Sequence, residues 1–286
     1  MAAPRLPTRL DLSRALVREC EIVYRTGGKA EDIASTANTI ATYQNGINQL
    51  KYIHMYFAKS VGLWRQIRYT LNVPNDGAVI SVGAGPCLCL LGWFYDVAPD
   101  PAQAVRPVDV LDWAQARSLP AFQALCQDVF GPRTDYAYLH GRYFPQLRPP
   151  QAVGLPELTA FAPCEIPVGA TVLVPYVLNH LIGISEPALG RDVGQWLEEV
   201  RQRSRRVIIA DMRADRAPVM WSKLQGLLGI RQSPFVTHCS GLATFSSVYS
   251  TRANWPARRT SQYMTGDTIL VGTGEGWHFV RRLRER

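Results

Sequence analysis

One stretch decides the fold of this chain: Ala78-Val79-Ile80-Ser81-Val82-Gly83-Ala84-Gly85-Pro86-Cys87. Its apolar first half predicts a buried β-strand, and its two glycines predict a tight turn. The apolar run Leu88–Phe94 follows at once and predicts the start of a helix. A strand, a Gly-x-Gly turn and a helix form the geometry that brings backbone N–H groups close to a nucleotide-like ligand.

The chain before this stretch predicts helices. The longest runs from about Asn45 to Leu71, because its apolar residues recur at spacings of three and four. These residues are Leu50, Ile53, Phe57, Val61, Trp64, Ile67 and Leu71. Four tyrosines accompany them, namely Tyr43, Tyr52, Tyr56 and Tyr69. The tyrosines either pack on the main domain, or one or two of them roof a ligand pocket.

Strands and helices alternate after this stretch. Further strands are predicted at Val108–Asp112, Asp135–Leu139, Ala170–Pro175, Arg206–Asp211, Thr268–Val271 and His278–Val280. A helix is predicted at Val219–Leu228, and the segment Phe245–Tyr249 follows it. Such alternation predicts an α/β fold, with a doubly wound, mostly parallel seven-stranded sheet and an antiparallel edge. We therefore expect an N-terminal helical extension or lid over residues 1–73 and a Rossmann-like domain over residues 74–286.

Charge, cysteine spacing and apolar run length limit the partners and the location that are expected for the protein. The 286 residues carry a net charge of +8, which permits nucleic-acid binding without requiring it. The basic clusters at 201–206, 258–259 and 281–286 are either binding surface or solvated helix ends and tail. The six cysteines contain no C-x-x-C pair, so we expect no metal site, reduced thiols and a cytoplasmic location. No apolar run approaches about 20 residues, so no membrane span is expected.

In doubly wound sheets the ligand lies at the carboxyl ends of the strands, so residues that follow strands are the candidates for a site. Asp112 is placed to accept the hydroxyls of a ribose, or else to cap a helix. Trp113 is placed to cover an adenine face, or else to pack in the core. After the fourth strand, Tyr176 can line an acceptor site and His180 can take a proton; both are also ordinary packed residues. Asp211 is either a pocket carboxylate or a turn cap.

Three of these segments together resemble the class I S-adenosylmethionine-dependent methyltransferases. They are the Val79–Pro86 strand and turn, the acid of Val110-Leu111-Asp112, and the Val172–Leu181 segment with Val177-Leu178-Asn179-His180-Leu181. The resemblance implies methyl transfer from S-adenosylmethionine to an N or O atom of a small molecule or an RNA. It implies catalytic roles for Tyr176 and His180. It implies cofactor contacts from Ser81, Gly83, Ala84, Gly85, Pro86, Asp112, Trp113, Gly141, Arg142 and Pro175.

The chain departs from that family at three places. Ser81 stands where the family usually has an acid, Cys87 replaces the third glycine, and His140-Gly141-Arg142-Tyr143 stands where many members have an acid near the adenine. These departures keep open a methyltransferase-like binding or assembly protein without activity. An NAD(P)-dependent oxidoreductase is a further alternative, although its fingerprint requires a glycine where Leu88 stands. The sequence leaves the methyl acceptor and the oligomeric state open.

Overall fold

The computed structural model of the protein describes residues 6–26, 43–109, 113–131, 166–178, 187–237 and 267–284. Within these ranges it contains seven helices and six strands. The helices are α1 (Arg9–Thr26), α2 (Gly46–Leu71), α3 (Leu88–Phe94), α4 (Ala114–Arg117), α5 (Pro120–Phe130), α6 (Pro187–Arg203) and α7 (Pro218–Leu228). The strands are β1 (Val79–Val82), β2 (Val105–Val108), β3 (Thr171–Pro175), β4 (Arg206–Asp211), β5 (Thr268–Thr273) and β6 (Gly276–Phe279).

The strands form one sheet in the order β2-β1-β3-β4-β5-β6. The first four are parallel, and β5 and β6 run antiparallel as a hairpin at one edge. The predicted α/β fold and its antiparallel edge are therefore confirmed. The predicted strand Asp135–Leu139 and the segment Phe245–Tyr249 lie outside the described residues, within which six of the expected seven strands are seen.

The second strand lies earlier in the chain than predicted. We expected Val108–Asp112 to be the strand and the proline-containing segment before it to be a loop. Instead β2 is Val105-Arg106-Pro107-Val108, and among the strands that the structure describes it pairs with β1. The strand therefore ends at Val108, and the acid directly behind it is Asp109.

Side chains alternate between the two faces of the sheet. On one face Val79, Leu173 and Ile208 share a core with α1 to α5. On the other face Ile80, Val172 and Val207 share a second core with α6 and α7. Helices cover both faces, so the sheet is doubly wound as predicted, and the consecutive buried residues of β1 and β3 are typical of central parallel strands.

The long N-terminal helix follows its predicted pattern closely. Asn45 caps α2 by accepting a hydrogen bond from the Ile47 N–H at 3.0 Å, and Asn72 ends it in the left-handed conformation. Of the predicted apolar stripe, the first six residues are fully buried and Leu71 is partly buried. The division into an N-terminal lid and a main domain stays a prediction. The additional helix predicted at residues 31–41 lies outside the described residues.

Helix α2 crosses α3 at very short range. A Cβ atom built on Gly92 of α3 would lie 2.5 Å from the Val61 carbonyl oxygen of α2. Trp64 of α2 packs on Trp93 of α3 with ring centroids 6.4 Å apart. The crossing therefore fixes α2 above the part of the sheet that follows β1. No helix among the described residues combines the length and the apolar character needed to span a membrane.

Candidate ligand site at the carboxyl edge

The chain order places a topological switch point beside β1. From β1 the chain goes to β2 on one side and later to β3 on the other, and all three strands are parallel. In sheets of this kind the loops at the carboxyl ends of such strands diverge and leave a crevice. The segment Gly83–Cys87 leaves β1 at this edge, and Tyr176–Leu178 leaves β3 beside it. These two segments are the starting point for a site.

The turn after β1 contains three residues in the left-handed conformation. Gly83, Gly85 and Cys87 have φ values of 71°, 53° and 59°. Glycine adopts such angles without strain, whereas Cys87 carries a Cβ there. A Cβ on Gly83 would lie 2.8 Å from Cγ2 of Val177, so the close approach of the two exit loops also requires glycine at that position.

The N–H groups within this turn are directed inward. Gly83 and Ala84 both donate to the Val108 carbonyl, at 2.8 and 3.0 Å, and Cys87 donates to the Ala84 carbonyl at 2.9 Å. Gly85 donates to Oδ2 of Asp109 at 2.5 Å, and Pro86 has no N–H. We expected these N–H groups to face a ligand. Because internal acceptors use them, the turn offers a Cβ-free surface rather than a cradle of donors.

The acid that touches the turn is Asp109. It directly follows β2, 24 residues beyond Gly85, and its carboxylate holds the turn through the Gly85 N–H. The predicted acid, Asp112, lies outside the described residues. The acid at the carboxyl edge differs from the predicted one because β2 ends earlier in the chain than predicted. Its last residue is Val108, so Asp109 lies at that edge.

An aromatic cluster lies against the turn. Cζ2 of the Trp113 ring is 3.6 Å from the position of a Cβ built on Gly85. Tyr43 and Tyr52 pack on Trp113 with ring centroids 5.4 and 5.5 Å away, and Tyr56 packs on Tyr52 at 4.8 Å. The structure therefore groups three of the four predicted tyrosines above the turn. Tyr69 is 46% exposed and lies on the outside of α2.

The Trp113 indole carries a buried donor that has no hydrogen-bond partner among the described residues. The side chain is only 4% exposed, and no acceptor in the described ranges binds its Nε1 atom. A buried N–H group left unpaired costs about 1–3 kcal/mol, so such groups in native proteins call for an explanation. Cε2, the ring atom bonded to Nε1, lies 3.8 Å from the Cβ built on Gly85.

The tyrosine and cysteine side chains near the turn are held neutral by burial. Burial raises the pKa of Tyr43 and of Tyr52 well above the usual value for tyrosine. Burial raises the pKa of Cys89 to about 12, and it raises the pKa of Cys87 as well. Both cysteines are free and buried, so they act as small packed side chains rather than as reactive thiols.

Ser81 is closed off from the edge. Its side chain is fully buried, and Oγ lies 3.0 Å from Sγ of Cys89 in α3. The resemblance places a methionine-binding acid at this position. In this chain the side chain is instead committed to packing between β1 and α3.

A second polar cluster lies where β3 ends. Pro175 is the last residue of β3, and Tyr176 follows it with φ of 49°, a left-handed angle for a residue that is not glycine. The Tyr176 hydroxyl donates to Oδ2 of Asp267 at 2.7 Å, and Lys59 of α2 lies 2.8 Å from Oδ1 of the same carboxylate. The Lys59 ammonium also lies 4.8 Å from the Tyr176 ring centroid.

Asp211 acts as a turn cap. Its Oδ2 accepts from the Leu178 N–H at 2.9 Å and its Oδ1 accepts from the Met212 N–H at 2.7 Å. The side chain is fully buried at the end of β4. It therefore fixes the loop that carries Tyr176.

The structure brings most of the described candidates to one edge. Gly83, Ala84, Gly85, Pro86, Trp113, Pro175 and Tyr176 lie at or next to the carboxyl ends of β1, β2 and β3. Asp112, Gly141, Arg142 and His180 lie outside the described residues, and their roles stay predictions. Sequence reasoning missed Asp109, Lys59 and Asp267. Asp267 could have been predicted from the sequence, because the start of an antiparallel strand lies at the carboxyl edge of its parallel neighbours.

Three arginines of the basic cluster at 201–206 make contacts within the protein. Arg201 binds Glu198 and the Thr273 carbonyl, and Arg205 binds Asp76 at 2.9 Å. Arg203 lies 3.4 Å from the Ile166 carbonyl oxygen. These contacts give the cluster a structural use, so its charge by itself does not indicate a nucleic-acid surface.

The chain matches no protein-family model, and no curated protein matches it in sequence. Among solved structures it is similar to methyltransferases of the S-adenosylmethionine-dependent class. A proposed class I S-adenosylmethionine-dependent methyltransferase from Listeria monocytogenes aligns over 96% of this chain and 83% of its own, at 8% identity and a TM-score of 0.38. The plantazolicin methyltransferase BpumL, solved in complex with SAH, aligns over 94% and 100%, at 9% identity and a TM-score of 0.39.

A cyclopropane-fatty-acyl-phospholipid synthase-like protein from Lactobacillus casei aligns over 55% of this chain, at 11% identity and a TM-score of 0.31. The alignment spans half of that protein's length. Superpositions at these scores do not establish a shared function. The fold described above rests on the strand order and the two cores of this chain.

Proposed function

We propose that the protein binds S-adenosylmethionine at the edge between β1 and β3 and transfers its methyl group to a small-molecule acceptor. One observation carries the proposal: a left-handed glycine turn at the switch point packs against the Trp113 ring, whose buried Nε1–H has no acceptor among the described residues. The motifs that resemble class I methyltransferases point to the same cofactor.

The residues at this edge fit an adenosyl group. An adenine ring has a flat apolar face and in-plane nitrogen acceptors, which suit an aromatic ring and an indole N–H. Trp113 supplies both, and Tyr43 and Tyr52 extend the aromatic surface. Gly85 has no side chain to obstruct the approach. When bound, S-adenosylmethionine supplies a methyl group activated for displacement.

The protein's contribution is positioning and exclusion of water. Asp109 fixes the turn through the Gly85 N–H, and Asp211 fixes the exit loop of β3 through the Leu178 N–H. Helix α2 covers the same edge from above with Tyr52, Tyr56 and Lys59. A rigid, covered site of this kind orients two reactants and removes competing water.

A small-molecule acceptor fits this arrangement better than an RNA. The partly buried tyrosines of α2 close over the edge, whereas an RNA substrate requires an accessible basic surface. Arg201, Arg203 and Arg205 are used within the fold. The proposed acceptor therefore enters a covered pocket and presents an N or O atom to the methyl group.

A second candidate is a methyltransferase-like binding protein without activity. The hydrogen bond between Ser81 and Cys89 favours this candidate, since no acid stands at position 81 to hold a methionine amino group.

Incubation of the protein with S-adenosylmethionine and a protein-free extract of small molecules distinguishes the enzyme from the inactive binding protein. Release of S-adenosylhomocysteine above a no-extract control supports the enzyme; cofactor binding without release supports the binding protein. Release of S-adenosylhomocysteine with purified RNA, but not with the small-molecule extract, would contradict the proposal of a small-molecule acceptor.

A further inference from the structure

Three elements that are distant in the sequence converge on the carboxylate of Asp267. Lys59 comes from α2, Tyr176 follows β3, and Asp267 directly precedes β5. The Tyr176 hydroxyl and the Lys59 ammonium each contact one carboxylate oxygen, at 2.7 and 2.8 Å. The Asp267 side chain is only 3% exposed, so this is an ion pair and a phenol held out of water.

The backbone fixes this carboxylate firmly. Asp267 and Thr237 exchange two backbone hydrogen bonds, at 2.7 and 3.0 Å. The Thr237 hydroxyl donates to the Val280 carbonyl at 2.6 Å. On the other side the Tyr176 N–H donates to the Ala210 carbonyl at 2.8 Å. The phenol and the carboxylate therefore meet in one geometry.

Stability alone does not account for such a cluster. Burying an Asp–Lys pair removes two charges from water, and packed apolar residues of similar size are often as stable or more so. Tyr176 also adopts a left-handed backbone angle, which costs roughly 1–3 kcal/mol and is typical of functional sites. Two unfavourable features at one point of the carboxyl edge indicate a use beyond folding.

The cluster belongs to the same edge as the aromatic cluster. Tyr52 lies within electrostatic range of Tyr176 on one side and of Asp109 on the other. Tyr52 also packs on Trp113, whose ring lies on Gly85. Tyr52 therefore connects the Tyr176 cluster to the aromatic cluster at the turn.

We propose that Tyr176 and Asp267 form a proton relay that receives the proton of the acceptor atom being methylated, with Lys59 holding Asp267 in its ionised form. This inference rests on the proposed methyl transfer. The Tyr176 phenol gives its hydrogen to Asp267, so its oxygen lone pairs are available to a donor N–H or O–H. The acceptor is accordingly an amine, amide, hydroxyl or phenol that still carries a proton.

As the acceptor atom bonds to the methyl carbon, the bond between that carbon and the sulfonium sulfur breaks, and S-adenosylhomocysteine is the leaving group. The proton of the acceptor atom passes to the Tyr176 oxygen, and the phenolic proton passes to Oδ2 of Asp267. The phenol stays neutral, the carboxylate becomes a carboxylic acid, and Lys59 keeps its charge. After product leaves, the proton returns to water by the reverse path through Tyr176.

The surrounding groups set the pH dependence. Asp267 faces Lys59 from α2, Tyr176 from the β3 exit and Arg213 from the β4 exit; Tyr176 also faces Tyr52 and Asp211. Burial raises the pKa of Asp267 above its usual value, and Lys59 and Tyr176 limit that rise. The relay needs ionised Asp267, so kcat should rise with pH through that pKa and then level off.

Tyr176→Phe and Asp267→Asn test the relay, with Tyr69→Phe as control because that phenol is exposed on α2, the helix that carries Lys59. We measure S-adenosylhomocysteine release with the small-molecule extract from pH 5 to 9, and S-adenosylmethionine affinity by calorimetry. Both variants should lose about 100-fold or more in kcat, the usual contribution of proton transfer. Cofactor affinity should stay within about twofold, and the acid limb of the pH profile should disappear in Asp267→Asn.

The outcomes separate this inference from the proposed function. A Tyr176→Phe variant that keeps kcat within about threefold of wild type, in an active wild-type protein, overturns the relay and leaves methyl transfer standing. A wild-type protein that releases no product contradicts both. If Asp267→Asn fails to fold, Tyr176→Phe decides alone, because it removes one oxygen and keeps the ring.

Discussion

Gly83 stands at the narrowest point between the two exit loops. It has φ of 71°, and a Cβ there would lie 2.8 Å from Cγ2 of Val177. Gly83→Ala should therefore lower the free energy of unfolding by about 2–4 kcal/mol, the sum of overpacking and a left-handed angle. Urea denaturation measures this. Gly226→Ala is the control: that helical glycine has open space around it, and alanine there should stabilise by about 0.5–1 kcal/mol.

Trp113 is the residue that connects the turn to its proposed ligand. Trp113→Phe keeps a ring but removes the unpaired N–H, so S-adenosylhomocysteine should bind about 5- to 10-fold more weakly, as expected for one lost hydrogen bond. Calorimetry measures the affinity. Trp64→Phe removes an equally buried, unpaired indole N–H from the packing between α2 and α3. An equal loss of affinity in both variants would contradict a direct role for Trp113.

At the scale of elements, most helices and strands could be predicted from apolar spacing. The apolar stripe of α2 is buried, as its spacing of three and four residues predicts. The consecutive apolar residues of β1, β3 and β4 are buried as well, as predicted for central strands. The bounds of β2 could not be predicted in this way, because Pro107 lies inside the strand and proline is depleted in strands.

Glu198 connects α6 to the terminal hairpin. Its carboxylate accepts from Arg201 on the same helix and from the Trp277 indole of β6 at 3.0 Å. Hydrogen bonding from Arg201 lowers the pKa of Glu198 to about 2. A carboxyl with a lowered pKa stabilises the fold above its unfolded-state pKa, and this contribution is lost as pH falls through the folded-state pKa.

Glu198→Gln should accordingly destabilise the protein at neutral pH by less than about 1 kcal/mol, since the side chain is partly exposed. The difference from wild type should shrink between about pH 5 and pH 2. Urea denaturation over that range measures it. Glu199→Gln changes an exposed neighbour and should show no such trend; a constant difference for Glu198→Gln would rule out the ionised contact as its source.

At the scale of the whole molecule, the sequence predicts the position of the site in the fold better than it predicts the residues that form the site. Alternation predicts parallel strands, whose carboxyl ends lie at one edge of the sheet, and the turn and Tyr176 are found at that edge. Lys59 and Asp267 could not be found in this way, because they meet only through the docking of α2 and the return of β5. Asp109 was missed because one misplaced strand end changes which acid reaches the turn.

The central claim is that the edge between β1 and β3 binds an adenosyl cofactor, and calorimetric titration of the full chain tests it most directly. S-adenosylmethionine and S-adenosylhomocysteine should each bind at one site with micromolar affinity, about −8 kcal/mol, and NADH should not compete. A folded protein that binds neither ligand up to millimolar concentration would contradict the account.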